Sequence, residues 1–188
     1  MQSALFIGRF QPFHNGHLDI VKKILEDNQR VILAVGSAEK NYLSSNPLTA
    51  GERFRVIDES LREAGISSER YAIVPVRNVN NYALWVNHIN IYVPPYTRIY
   101  TGSPIVKACY EGKYQRPDGT CKTGPEVIQV EKELEVSATK VRESILNKDD
   151  WESLVPKAAA KVLKEMELPK RLQTIKDTMD VTKYNNSY

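Results

Sequence analysis

Short apolar runs rich in β-branched residues alternate along this chain with segments whose apolar residues recur at helical spacing. The apolar runs, each a predicted strand, lie at residues 3–8, 30–36, 71–76, 98–102 and 127–130. The helical patterns lie at residues 18–25, 49–65, 83–93, 137–146 and 156–167. Strands buried on both faces read as continuous apolar runs, and alternation of strand and helix favours parallel pairing. The pattern therefore predicts an α/β fold with a doubly wound parallel sheet and C-terminal helices.

One domain is predicted to span residues 1–168, because 188 residues with 41% hydrophobic content suit a single core. Residues 169–188 are polar and are interpreted as a C-terminal tail whose last residues are mobile. The segment from Tyr110 to Pro125 is rich in turn-forming residues, most clearly Pro117-Asp118-Gly119, and is expected to lack regular structure.

The charge pattern does not predict a nucleic-acid binder, since the net charge is only +3 and the Lys and Arg residues are spread along the chain. It permits small anionic ligands. The first residues lack the pattern of a signal peptide, and no apolar run has the length of a membrane span, so we expect a cytoplasmic protein without membrane partners. Cys109 and Cys121 show no metal-ligand spacing and are predicted to be reduced thiols.

The segment Gly8-Arg9-Phe10-Gln11-Pro12-Phe13-His14-Asn15-Gly16-His17 connects the first predicted strand to the first helix. Ligands of open α/β sheets bind at the carboxyl ends of the strands, and a helix N-terminus attracts phosphate. His14 and His17 can both present a ring nitrogen to phosphate oxygens, while Gly16 removes a side chain where the phosphate approaches. The segment therefore predicts a site that stabilises a negatively charged phosphorus centre.

Plainer explanations exist for the same residues. A histidine at a helix start is often a cap or a surface residue, and His-x-Gly-His arises by chance. The two usual phosphate loops, Gly-x-x-x-x-Gly-Lys-[Ser/Thr] and Gly-x-Gly-x-x-Gly, are absent from the sequence.

The ten-residue segment resembles the signature of the HxGH nucleotidyltransferases, and within them the chain looks most like the archaeal-type nicotinamide-nucleotide adenylyltransferases. Three further stretches carry this resemblance: Asn46-Pro47-Leu48-Thr49-Ala50-Gly51-Glu52-Arg53, Asn81-Tyr82-Ala83-Leu84-Trp85 and Ser137-Ala138-Thr139-Lys140-Val141-Arg142. The resemblance runs in order from about residue 4 to residue 165. It implies transfer of adenylate from ATP to nicotinamide mononucleotide (NMN), giving NAD and pyrophosphate.

The resemblance also implies roles for individual residues. The catalytic group would be His14, His17 and Arg142. The ATP-binding group would be Gly8, Arg9, Phe10, Gly16, Ser137 and Thr139. The NMN-binding group would be Asn81, Trp85 and Arg53, with the indole stacked on the cationic nicotinamide ring.

Alternatives remain for several of these residues. Ser137 and Arg142 also suit an ordinary capped helix with a solvated arginine, although hydroxyls at a helix start followed by an Arg form a second phosphate cradle. Trp85 also suits core packing, and Arg53 a helix surface. The loop 39–46 lacks the Gln, His and basic residues of some archaeal relatives, which leaves its contact with ATP in question.

The expected cofactor is Mg²⁺ held mainly by substrate phosphates and water, because no acidic cluster indicates a protein-built metal site. The resemblance favours a homo-oligomer, with a hexamer as one form. Two rival hypotheses stay open. One keeps the chemistry and changes the acceptor to riboflavin phosphate, phosphopantetheine or, with cytidylyl transfer, an alcohol phosphate. The other is a nucleotide-sensing module without turnover.

Overall fold

The computed structural model of the protein describes residues 2–112, 124–130 and 135–185. The strands within these residues are β1 (Ser3–Gly8), β2 (Arg30–Val35), β3 (Tyr71–Pro75), β4 (Arg98–Thr101) and β5 (Glu126–Gln129). The α-helices are α1 (Asn15–Asp27), α2 (Ala50–Glu63), α3 (Tyr82–Tyr92), α4 (Pro104–Tyr110), α5 (Ala138–Asn147), α6 (Lys157–Glu165) and α7 (Leu168–Asn185). Two 3₁₀ turns lie at Ser68–Arg70 and Glu152–Leu154.

The strands form one sheet in the order β3-β2-β1-β4-β5, and every neighbouring pair is parallel. The chain builds outward from β1 to β3 and then returns to place β4 on the other side of β1. Such a reversal leaves a crevice at the carboxyl ends of the central strands, which is where ligands of these sheets bind. The predicted doubly wound parallel α/β fold is confirmed.

Successive residues of a strand point to opposite faces of the sheet, and apolar residues are buried on both faces. Phe6 and Leu33 pack on the face covered by α1, α2 and the C-terminal helices. Leu5 and Ile32 pack on the other face with Ile89 of α3. This double burial explains why the strands read as unbroken apolar runs.

Two helices differ from the sequence prediction. Helix α4 was not predicted, although Ser103 caps its first turn and Pro104 is its first residue. Helix α7 occupies most of the segment interpreted as a polar tail, and it buries Leu168 and Leu172 in the main core. The packed part of the chain therefore extends past residue 168.

Several predictions concern residues outside the described ranges. These are the turn Pro117-Asp118-Gly119, the thiol of Cys121 and the mobility of residues 186–188. Cys109 is a buried free thiol, and its burial raises its pKa. No described helix combines the length and the apolar character needed to cross a membrane.

Candidate active site

Two pockets open side by side at the carboxyl ends of the strands. The histidine pocket, of ≈ 270 Å³, is lined by Arg9, Phe10, Gln11, His14, Gly16, His17, Asp19, Ile20, Lys23, Val136, Ser137, Ala138, Thr139 and Arg142. The tryptophan pocket, of ≈ 500 Å³, is lined by Phe6, Ile7, Gly8, Arg9, His17, Ile20, Gly36, Ser37, Val76, Arg77, Asn78, Trp85, Ile89, Thr101, Gly102, Ser103, Val106 and Val130. Arg9, His17 and Ile20 line both pockets, so ligands in the two would meet at these residues.

The loop after β1 is held in place by the packing of Phe10. Its ring is buried and lies against Gly8, where an added Cβ would come within 2.8 Å of two ring atoms. Phe10 itself adopts a left-handed backbone conformation with φ 49°, which costs a non-glycine residue energy that surrounding contacts must offset. Gly8 is therefore required by the fold of the loop, and it also lines the tryptophan pocket.

The two histidines of the motif stack on each other at the start of α1. Their ring centroids are 3.6 Å apart, and His14 is the N-cap residue of the helix. The backbone N–H of His14 donates to Nδ1 of His17 at 3.3 Å. This bond makes Nδ1 the acceptor nitrogen of His17 and leaves Nε2 as the nitrogen that carries the ring proton. Phe13 stacks on His17 at 5.4 Å and helps to hold that ring.

Gly16 lies directly beside the His14 ring. A Cβ at this position would come within 3.3 Å of Cε1 and Nδ1 of His14. The glycine thus keeps space for the stacked histidines as well as for a phosphate that approaches the start of the helix.

The start of α5 forms the opposite wall of the histidine pocket. Ser137 is its N-cap residue and accepts from the backbone N–H of Lys140 at 3.1 Å. Thr139 Oγ1 accepts from Nη2 of Arg142 at 3.2 Å, which turns the guanidinium toward the first loop. Burial, together with the nearby charge of Arg9, lowers the pKa of Arg142. The late motif therefore adds hydroxyls, a helix N-terminus and a cation to the site.

Gln11 connects the two halves of this site, a role that no sequence pattern indicated. Its carbonyl accepts from Nη1 of Arg142 at 2.8 Å. Its buried side-chain amide donates to the carbonyl of Leu48 at 2.9 Å and accepts from the N–H of Leu48 at 3.0 Å. The first loop is thereby fixed to the β2–α2 loop as well as to α5.

Arg53 lies behind the pockets and does not line either of them. Its side chain is completely buried and donates to the carbonyls of Arg9, Gly36 and Ser37 at 3.0, 2.8 and 3.1 Å. Burial lowers the pKa of Arg53 to about 10 against the attraction of Glu39, so the group stays charged at neutral pH. Arg53 therefore joins the loops after β1 and β2. It was predicted to bind NMN or to lie on a helix surface, but it lines neither pocket and is completely buried.

Trp85 is half-buried at the tryptophan pocket, on the first turn of α3. Its ring meets Tyr110 edge-on at 6.1 Å, and the hydroxyl of Tyr110 pairs with that of Tyr96 at 2.8 Å. Burial raises the pKa of Tyr110, so this hydroxyl stays protonated. The indole therefore packs against a fixed aromatic neighbour while it also lines the pocket.

The polar residues of the tryptophan pocket include two cations. Of the described residues that line it, Arg9 and Arg77 are charged and none is acidic. Arg77 follows β3, and no sequence motif had pointed to it. The lining favours an anionic ligand with an aromatic part.

Asn81 is not among the described residues that line either pocket. It is exposed, and its side chain accepts from the N–H of Ala83 at 3.0 Å as the N-cap of α3. The structure therefore places this predicted NMN ligand in a capping role, next to the helix that carries Trp85.

The donor set of the histidine pocket does not form a protein-built metal site. Among its described lining residues, Asp19 carries the single carboxylate. The described part of the chain holds no group of three or more His, Cys, Asp or Glu residues that could bind a metal ion. This composition fits a cation whose ligands are mainly phosphate oxygens and water.

The sequence matches known proteins over most of its length. A sequence profile of the cytidylyltransferase-like family matches residues 5–144. The nicotinamide-nucleotide adenylyltransferase of Picrophilus torridus is 36% identical over 177 residues, which are 93% of this chain and 98% of the relative. The enzyme of the same name from Pyrobaculum arsenaticum is 41% identical over 177 residues, which are 93% and 94% of the two chains.

Solved structures share the fold. A bifunctional NMN adenylyltransferase/ADP ribose pyrophosphatase from Francisella tularensis matches with a TM-score of 0.73 at 22% identity. The match covers 98% of this chain, and this chain spans 55% of the length of that protein. The Francisella protein complexed with AMP and a Mn ion matches with a TM-score of 0.71.

The profile and the two relatives agree with the resemblance carried by the four motifs. The chain therefore belongs to the cytidylyltransferase-like family and, within it, to the nicotinamide-nucleotide adenylyltransferases represented by these archaeal relatives.

Proposed function

We propose that the protein transfers the adenylyl group of ATP to nicotinamide mononucleotide, giving NAD and pyrophosphate. The observation that carries this proposal is the meeting of the two pockets at Arg9 and His17. One pocket offers hydroxyls, histidines and cations to a triphosphate, and the other offers an indole and a second arginine to an acceptor. Two substrates bound there would bring a phosphate of each to the shared boundary.

The reaction is an in-line displacement at the α-phosphorus of ATP. An oxygen of the NMN phosphate forms a new bond to this phosphorus, the bond to the bridging oxygen of the β-phosphate breaks, and pyrophosphate leaves. The attacking phosphate is already an anion, so the protein contributes positioning and charge stabilisation.

The described residues suit these tasks. His17 donates from Nε2 to a nonbridging oxygen of the α-phosphate. His14, the N-cap residue of α1, stacks on the His17 ring and keeps it in position. Arg142, with Ser137 and Thr139 at the start of α5, binds the departing pyrophosphate. Arg9 neutralises charge where the substrates meet.

On the acceptor side, Trp85 stacks on the nicotinamide ring, because an electron-rich indole face attracts a cationic pyridinium. Arg77 adds a positive charge to the same pocket.

A divalent metal ion, which we expect to be Mg²⁺, would accompany the triphosphate and would supply positive charge to the leaving group. Substrate phosphates and water would hold it, with the Asp19 carboxylate nearby. The Mn ion bound with AMP in the Francisella protein supports a divalent ion here.

An acceptor panel tests the proposal. Purified protein, ATP and Mg²⁺ are incubated in parallel with NMN, riboflavin phosphate, phosphopantetheine and a small alcohol phosphate, with CTP replacing ATP in a second set. Formation of NAD with NMN as the preferred acceptor is expected. Efficient use of another acceptor without NAD formation would assign the same chemistry to a different substrate, and binding of ATP without any product would indicate a sensing module.

The apolar surface of α3 supports a homo-oligomer, for which a hexamer is one form. Tyr82, Leu84, Ile91 and Tyr92 are exposed on this helix, and Ile91 is 79% exposed. Burial of such side chains between copies would remove them from water. Light scattering of the purified protein, and of Ile91→Lys, measures the assembly size, and a monomer in both cases would contradict this part of the proposal.

A further inference from the structure

Helix α7 is joined to the start of α2 by a two-pronged ion pair. Nη1 and Nη2 of Arg171 donate to the two carboxylate oxygens of Glu52, both at 2.7 Å. The two side chains are mostly buried, at 14% and 20% exposure. A bidentate arginine–carboxylate pair with little solvent fixes the relative position of its two elements better than an exposed pair does.

Arg171 also holds the loop that leads into α2. Its Nη1 donates to the carbonyl of Pro47 at 3.1 Å, and its guanidinium carbon lies 4.5 Å from the centre of the Tyr42 ring. The other end of the loop is held by Arg53 through the carbonyls of Gly36 and Ser37. The loop 36–49 is therefore fixed at both ends by arginine side chains.

The fixed loop is connected to Arg142 through Gln11. Leu48, next to Pro47, exchanges two hydrogen bonds with the side chain of Gln11. The carbonyl of Gln11 in turn accepts from Arg142. Contacts thus run without a gap from α7 to the guanidinium that binds the triphosphate.

We propose that Arg171 is a positioning residue for adenylyl transfer, which holds Pro47 and Leu48 so that Gln11 and Arg142 meet the triphosphate of ATP in the correct place. The proposal rests on the proposed function. A displacement of the order of an ångström at a reacting group lowers the rate of an enzyme strongly. The tryptophan pocket is lined by none of the four residues in this chain of contacts, which are Pro47, Leu48, Gln11 and Arg142. Loss of Arg171 should therefore affect the use of ATP more than the use of the acceptor.

The test compares Arg171→Gln with Arg55→Gln. Arg55 also pairs with a glutamate of another helix, Glu165 of α6, but this pair is exposed, at 48% and 41%. Initial rates are measured while ATP and NMN are varied separately, and thermal unfolding is followed for each protein. For Arg171→Gln we expect kcat/KM for ATP to fall about tenfold and KM for NMN to change less than about twofold. For Arg55→Gln we expect all constants to stay within about twofold.

Arg171→Lys is the conservative variant, and it also serves if Arg171→Gln does not fold. A lysine keeps the charge but not the two-pronged geometry, so its kcat/KM for ATP should lie between those of the wild type and Arg171→Gln. A purely structural role predicts a different result, namely a lower melting temperature with both KM values and kcat per folded molecule unchanged. That result would overturn the proposal.

Calorimetric binding of a non-hydrolysable ATP analogue separates this proposal from the proposed function. Weaker binding by Arg171→Gln than by Arg55→Gln supports the positioning role even if the acceptor is not NMN. Equal binding, together with equal kcat/KM for ATP, would reject it while NAD formation by the wild type leaves the proposed function standing.

Discussion

The guanidinium of Arg142 donates from Nη1 to the main-chain carbonyl of Gln11 at 2.8 Å, across 131 positions of sequence. This bond joins the loop after β1 to the start of α5, and these two segments form opposite walls of the histidine pocket. A second N–H of Arg142 is used by Thr139, and the fork keeps further donors for phosphate oxygens. The side chain can therefore hold the site together and bind the triphosphate at the same time.

Arg142→Lys tests this double role. A lysine has one point charge and cannot donate to Gln11, Thr139 and a phosphate in the planar arrangement of a guanidinium. We expect kcat/KM for ATP to fall about 100-fold. The measurement is steady-state NAD formation, with Arg62→Lys on the exposed surface of α2 as the control. Wild-type kinetics for Arg142→Lys would mean that charge alone is needed.

Gly16→Ala probes the space beside the stacked histidines. The new Cβ would lie 3.3 Å from two atoms of the His14 ring, so the ring must move. We expect kcat to fall about tenfold, because the ring is shifted by a fraction of an ångström from its catalytic position. Gly51→Ala is the matched control, since a Cβ there meets nothing within 4 Å. Equal kcat values for the two variants would contradict the tight fit at Gly16.

Arg53→Met tests the buried arginine that joins the loops behind the site. The substitution keeps much of the apolar volume but leaves the carbonyls of Arg9, Gly36 and Ser37 without their donor. Loss of these charged hydrogen bonds should destabilise the protein by on the order of 3 kcal/mol. This corresponds to a decrease of about 10 °C in Tm for a chain of this size. Arg55→Met, on the exposed side of the same helix, should change Tm by less than about 2 °C. Similar decreases in Tm for both variants would argue against a stabilising role of the Arg53 hydrogen bonds.

Glu52 gives the protein a pH-dependent contribution to stability. Burial opposes its ionisation, but hydrogen bonds from Arg171 and Thr49 outweigh burial and lower its pKa from the ordinary value of 4.5. A lowered carboxyl pKa stabilises the folded state fully above the unfolded value and loses this effect as pH falls through the folded value. The difference in unfolding free energy between wild type and Glu52→Gln should be about 2 kcal/mol at neutral pH and should shrink below pH 4.5.

Urea unfolding at neutral pH and in steps through the acidic range measures this difference. Glu165→Gln, which removes the exposed partner of Arg55, serves as the control and should cost less than about 0.5 kcal/mol. A difference that stays constant into acid would show that the Glu52 carboxylate is not the group responsible.

The sheet could be predicted from the sequence because β1 and β2 at its centre are buried on both faces and are almost continuously apolar. Helix α7 was missed because its segment is mostly polar; among its described side chains Leu168 and Leu172 are buried, and Arg171 pairs with Glu52 of α2. Leu168, Leu172 and Ile175 do recur at helical spacing, but the polar residues between and after them favoured the interpretation as a tail. Helix α4 was within reach, because Ser103-Pro104 is a common helix start.

The candidate site was predictable where its residues lie close together in the sequence, as in the segment from Gly8 to His17 and at the start of α5. It was not predictable where function depends on distant partners. Gln11 acts through Leu48, which is 37 positions away. Arg53 was expected near the ligand because sequence alone does not show which face of α2 is buried. Asn81 stands directly before a helix, and that position favours the capping role found in the structure.

His17→Ala separates stabilisation of the transition state from binding of ATP. The acceptor bond at Nδ1 directs the proton of His17 to Nε2, where it can donate to an α-phosphate oxygen whose charge increases during transfer. An interaction that strengthens only in the transition state affects kcat more than ground-state affinity. We therefore expect kcat to fall by about 100-fold or more, while the affinity for ATP, measured by calorimetry without acceptor, changes less than about threefold.

Phe13→Leu removes the aromatic ring that stacks on His17 but keeps the imidazole, so its kcat should lie between those of the wild type and His17→Ala. Equal losses of kcat and of affinity in His17→Ala would instead make this residue a ground-state ligand of ATP.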